Sequence, residues 1–152
     1  MSTKLQTFSV KEFDSLLEKQ GVRSSRDNAF ICPACDTVQS MRSLVMAGCS
    51  KEKVADYIGF SCEGRFSHGQ SPTVAKERNN RGCNWTLGGL FQIHKVLLKE
   101  GDQTQPHFAA ATPEAARDLE KHLIARKHKE IATSLARIKQ AEKNAGEAEK
   151  NA

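Results

Sequence analysis

Four cysteines constrain this chain more than any other feature: Cys32 and Cys35, which bracket Pro33-Ala34, then Cys62 and Cys83. A Cys-Pro-x-Cys segment is a turn that aims two sulfurs at one point. Two further thiolates complete the tetrahedral set that zinc takes when its role is structural. The gaps of 26 and 20 residues that follow Cys35 and Cys62 exceed those of compact zinc ribbons. The expectation is one Zn2+ held by Cys32, Cys35, Cys62 and Cys83. Four sulfurs leave no position for water, so such an ion would be redox-silent and would add folding free energy on the order of 10 kcal/mol.

The rest of the composition makes such a staple useful. The chain has 152 residues, 38% of them hydrophobic, with one Trp and one Tyr, which gives one modest domain a thin core. An odd count of five cysteines, and a start (MSTKLQTFSV) without the apolar stretch of an export signal, fit reduced thiols and a cytoplasmic setting better than a disulfide framework. Cys49 is the cysteine outside the set. No apolar run approaches the roughly 20 residues that cross a bilayer, so no membrane partner is expected. The net charge of +5 favours acidic partners, either nucleic acid or an acidic protein face.

Local patterns sketch the fold. Ser9-Val10-Lys11-Glu12 reads as a capping box opening a helix with Phe13, Leu16 and Leu17 on one face, closed by Gly21. Ala29-Phe30-Ile31 reads as a short strand that delivers the cysteine turn. Thr37 to Ala47 has helical spacing and ends at Gly48, and Ser50 caps a further helix through Tyr57. Ile58 to Phe66 alternates as a strand carrying Cys62, and Ser67 to Gly82 reads as a loop returning the chain to Cys83. Leu90 to Leu98 fits a helix or a strand. The strand is favoured, turning at Glu100-Gly101-Asp102 and returning through His107-Phe108.

Thr112-Pro113-Glu114 opens a long helix to about Asn144, with Leu119, Leu123, Ile124, Ile131, Leu135 and Ile138 as its stripe. The last three suggest a homodimer contact or a docked helix. The organisation expected is an α+β zinc-stapled domain, zinc-ribbon or treble-clef-like, over residues 1–112. A C-terminal helix over 113–145 and a disordered tail over 146–152 follow.

A catalytic zinc would need a histidine in place of one sulfur, for which His68, His94 and His107 are the candidates; that would make a hydrolase or nuclease. Arg65, Lys76, Arg78 and Arg81 mix charge with the stacking face of Trp85, as single-stranded nucleic acid requires, and are the candidate contact residues for nucleic acid or a protein. There is no phosphate loop and no nucleophile elbow, and no catalytic residue is assigned.

Four blocks occur in order: Cys32 to Ser40, Gly59 to Phe66, Cys83 to His94 and Pro106 to Glu114. Together they resemble an uncharacterised family of small proteins carried by phages and prophages, from about Phe8 to Leu123. The resemblance implies a phage origin and supports the four cysteine ligands, but carries no activity with it. Asp36 stands where such turns usually have Gly, a position that Asp tolerates better than most residues. The resulting expectation is a phage-encoded, non-enzymatic accessory protein. It would bind and modulate or inhibit a host protein or protein–nucleic acid complex, with direct nucleic-acid binding as the alternative.

Overall fold

The computed structural model describes residues 4–67, 69–78, 81–87 and 92–152. It is a small mixed α+β domain with a long C-terminal helix, and it divides into the units Met1–Glu120 and Lys121–Ala152.

The chain starts with strand β1 (Gln6–Ser9) and turns at once into helix α1 (Val10–Glu18). Ser9 Oγ accepts the Glu12 N–H at 3.1 Å and the Glu12 carboxylate accepts the Ser9 N–H at 2.8 Å, so the expected capping box is formed. Gly21 has φ of 68°, the left-handed conformation its place after the helix requires. α1 buries Phe13.

Two three-stranded sheets follow. β1 runs parallel to β4 (Val96–Glu100), which forms an antiparallel hairpin with β5 (Gln103–His107) through the turn expected at Gly101. A parallel pair needs a long crossover, and here the crossover contains all four cysteines of the set. The second sheet has the order β3-β2-β6, from β2 (Ala29–Ile31), β3 (Val38–Ser40) and β6 (Ala109–Ala110). The chain passes between the sheets at Phe108, which is fully buried and donates its N–H to the Gly59 carbonyl at 2.9 Å. The His107 ring meets Phe13 and Phe30 edge-on, with centroids at 5.1 and 5.5 Å.

Buried Gln20 ties α1 to the second sheet. Its Nε2 donates to the carbonyls of Ala29 and Ala111, and its Oε1 accepts the Ala29 N–H. Both the donor and the acceptor end of that amide are thereby satisfied where no water reaches.

Several local expectations give way to long-range pairing. Of the helix expected over Thr37 to Ala47, only α2 (Met41–Ala47) is helical. Val38–Ser40 pairs with β2, because a chain leaving the cysteine turn can satisfy its backbone there, and Ser40 caps α2 through the Ser43 N–H. The next helix, α3 (Val54–Tyr57), starts later than Ser50 implied, and no side chain caps it.

The strand expected over Ile58 to Phe66 is absent. Ser61 alone bridges to Thr86, and Glu63–Phe66 is a 3-10 turn. The expected loop contains α4 (Pro72–Glu77), capped by Ser71 with Pro72 in its first turn, a signal the sequence carried. Leu90, where the expected strand begins, lies outside the described residues. α5 (Pro113–Lys150) continues through Gly146, so the expected disordered tail is helical to Lys150. One Gly in an exposed helix costs only about 1 kcal/mol, and its Ala and Glu neighbours favour helix.

Candidate metal centre

Three pieces of backbone position the four cysteines. The β2–β3 hairpin carries the Cys32–Cys35 turn, closed by the Cys32 N–H to the Thr37 carbonyl at 3.0 Å and the Asp36 N–H to the Cys32 carbonyl at 2.9 Å. Asp36 has φ of 63°, the left-handed value its place in the turn demands. Cys62 lies on a short ladder in which its own N–H reaches the Trp85 carbonyl at 3.1 Å and the Leu87 N–H reaches the Phe60 carbonyl at 2.9 Å. Cys83 is bridged to Gln70.

These pieces bring the four sulfurs within 4.8 Å of one another. Cys32 and Cys83 are 3.9 Å apart, Cys35 and Cys62 3.8 Å. A metal about 2.3 Å from each of four sulfurs sets a tetrahedral edge of about 3.8 Å, whereas a disulfide bond is about 2.05 Å long. The spacing is therefore that of a metal cage, and all four cysteines are free thiols. Cys32, Cys62 and Cys83 are fully buried and Cys35 half-buried.

The chemistry around the sulfurs fits thiolates. The Cys83 N–H points at Cys62 Sγ at 3.2 Å and the Trp85 N–H at Cys83 Sγ at 3.4 Å, and such donors stabilise negative sulfur. Four adjacent thiols cannot share charge evenly without a cation. Contact with Cys35 drives the Cys32 thiol far above the ordinary range, while contact with Cys32 holds Cys35 and Cys83 below it. Contact with Cys32 lowers Cys62 as well, but Cys35, Cys83 and burial outweigh it and leave Cys62 raised. A bound metal ion relieves that conflict by taking all four as thiolates.

The arms that carry Cys62 and Cys83 are locked together. A Cβ on Gly64 would lie 2.4 Å from the Cys83 carbonyl oxygen, so the approach of the two arms demands glycine. The buried Glu63 carboxylate pairs with Arg81, which also donates to the Val38 carbonyl. Gln39, fully buried, donates to the Ile58 and Ser61 carbonyls at 2.9 Å each and accepts the Glu63 N–H at 2.8 Å. Thr37 Oγ1 accepts the Gly82 N–H at 2.9 Å and lies 3.1 Å from Cys35 Sγ.

The other candidate residues lie as follows. Arg65 donates to the Asn84 carbonyl at 2.9 Å, Lys76 pairs with Asp36 at 3.4 Å, and Arg81 is committed to Glu63. Arg78 is exposed. Trp85 is half-buried and stacks on Phe108 with centroids 5.9 Å apart. All four basic side chains are exposed, and Arg65, Lys76 and Arg81 each also hold a hydrogen bond or ion pair within the domain. His68 lies outside the described residues. His94 and His107 are not among the residues that could share a metal, and the metal-competent group among the described residues is the four cysteines alone. Cys49 is buried, and its burial pushes the thiol up.

Sequence reasoning missed Gln39, Thr37 and Glu63. The only trace of Glu63 was its acidic charge beside Arg65, and nothing local marks Gln39.

No helix among the described residues is long and apolar enough to cross a membrane. The VVA0879-like family model matches residues 9–111, more than half of the chain and all four cysteines of the cluster. The chain belongs to that family, which is uncharacterised. No curated protein matches the chain, and neither does any solved structure.

Proposed function

We propose that this protein is a non-enzymatic binding factor, in which one structural zinc ion held by Cys32, Cys35, Cys62 and Cys83 fixes a domain that docks on another protein. The observation that carries this reading is the four-sulfur set, gathered within 4.8 Å and largely buried. Four thiolates favour zinc and leave it no open position for water or substrate, so the ion would supply folding free energy rather than a reactive hydroxide.

The resemblance of the ordered sequence blocks to phage-borne proteins gives the partner its class. It would be a host protein, free or within a nucleoprotein complex, modulated or inhibited in the host cytoplasm. Of the basic candidate residues, Arg81 is held by the buried Glu63 carboxylate and the Val38 carbonyl, which favours a protein partner over direct contact with nucleic acid.

Two measurements test the reading. Metal analysis with X-ray absorption should return one zinc per chain with four sulfur neighbours at about 2.3 Å; a nitrogen or oxygen neighbour would reopen the hydrolase. Tagged protein incubated in bacterial lysate should retain one host protein in stoichiometric amount after nuclease treatment, and that protein, once purified, should rebind. Recovery of nucleic acid alone, lost on nuclease treatment, would replace the proposal with direct nucleic-acid binding.

A further inference from the structure

We infer that the exposed apolar face of α5 around Ile131, Leu135 and Ile138 pairs with a second copy of this chain, and that the two helices run antiparallel. Ile131, Leu135 and Ile138 are 48, 53 and 53% exposed, at the four-then-three spacing that lines one side of a helix. Ala132, Ser134 and Ala141, small residues on the flanks of this seam, would let two backbones approach closely beside Leu135.

Charge decides the occupant and the orientation. The stretch 121–129 carries Lys121, Arg126, Lys127 and Lys129 with no acid, whereas 142–149 carries Glu142, Glu147 and Glu149 against one lysine. Lys127 and Glu142 flank the apolar trio on its two sides, and neither has an ion-pair partner among the described residues. A parallel pair would set Lys127 against Lys127 and Glu142 against Glu142, repelling at both ends. An antiparallel pair with its two-fold axis beside Leu135 sets Ile131 against Ile138 of the second copy and Lys127 against Glu142 of the second copy, twice over. Opposed helix dipoles favour the same arrangement.

This inference does not depend on the host-protein reading, because purified chain alone tests it. Sedimentation equilibrium of the zinc-loaded full chain over a concentration series should show the mass rising from 16.8 kDa toward twice that value. Leu135→Asp should hold it at the monomer value. At low salt, Lys127→Glu or Glu142→Lys should each weaken pairing about tenfold, since two exposed ion pairs become repulsions. The double variant Lys127→Glu/Glu142→Lys should restore it. All these positions are exposed on one helix, so the fold is kept, with circular dichroism and zinc content as checks. A mass fixed at 16.8 kDa throughout, a dimer indifferent to Leu135→Asp, or a double variant weaker than both single variants would each overturn the proposal.

Discussion

The first 120 residues and the last 32 reach their structures by opposite routes. In the first unit, long-range contacts decide the shape. Gln20 and Gln39 are fully buried and joined to backbone far away in sequence, Glu63 holds Arg81 across 18 positions, and four sulfurs from three segments converge. In the second unit the side-chain bonds span four residues, as from Arg126 to Glu130 and from Gln140 to Asn144. A region built from distant contacts should fail all at once, and a region built from local ones should fray gradually.

The largest expected effect separates the two. Cys62→Ser, or a strong chelator, would remove a structural metal site, whose contribution is typically on the order of 10 kcal/mol, as large as a small domain's whole margin. The near-ultraviolet signal of Trp85 should vanish and amides of β2 and β6 should lose exchange protection, while much of the helical far-ultraviolet signal survives. If chelation left Trp85 and those amides unchanged, the cysteine cluster would not be what holds the first unit together.

The same contrast can be drawn with one residue type. Gln39→Ala leaves the Ile58 and Ser61 carbonyls and the Glu63 N–H without partners where water does not reach. The expected cost is about 3 kcal/mol in denaturant unfolding. Gln140→Ala removes one exposed bond to Asn144 and should change stability by less than about 0.5 kcal/mol. Equal effects would mean that the first unit does not depend on its buried polar clamps.

A third probe uses pH. Burial between Phe13 and Phe30 holds the His107 imidazole below its ordinary value of 6.5, so the unfolded chain takes up a proton that the folded one resists. Stability is therefore full above pH 6.5 and declines as the pH falls below it toward the folded value. His107→Phe keeps the aromatic packing and should flatten the profile between about pH 7 and about pH 5, with the native chain and the variant compared under identical metal loading. An unchanged slope would show that His107 stays solvated.

Wherever one stretch of chain carries the whole cause, the sequence was readable: the capping box at Ser9 and Glu12, the strand before Cys32, the hairpin turn at Gly101, the helix start at Pro113. The four sulfurs were readable too, because metal–thiolate chemistry restricts which residues can meet. Illegible segments have causes lying elsewhere in the chain. Val38–Ser40 is a strand because β2 offers it a ladder, and Glu63–Phe66 curls because Gly64 must pass against Cys83. Gln39 announces nothing locally, since its three bonding partners are assembled only when the Cys62 arm has folded back.

The smallest effects come from exchanging backbone freedom between the two regions. Asp36 holds φ of 63° in the cysteine turn, where a side chain costs about 1 kcal/mol and glycine does not. Asp36→Gly relieves that strain but loosens the unfolded chain and loses an exposed pair to Lys76, so the net gain should stay below about 1 kcal/mol. The reverse exchange, Gly146→Ala, meets nothing within 4 Å and should raise helicity around it by about the same free energy. The two should differ in where the gain appears. Asp36→Gly should slow release of a bound metal ion and move the cooperative unfolding midpoint, whereas Gly146→Ala should slow amide exchange near residue 146 and leave that midpoint in place. A shift of the cooperative midpoint by Gly146→Ala would show that the last 32 residues unfold together with the first unit.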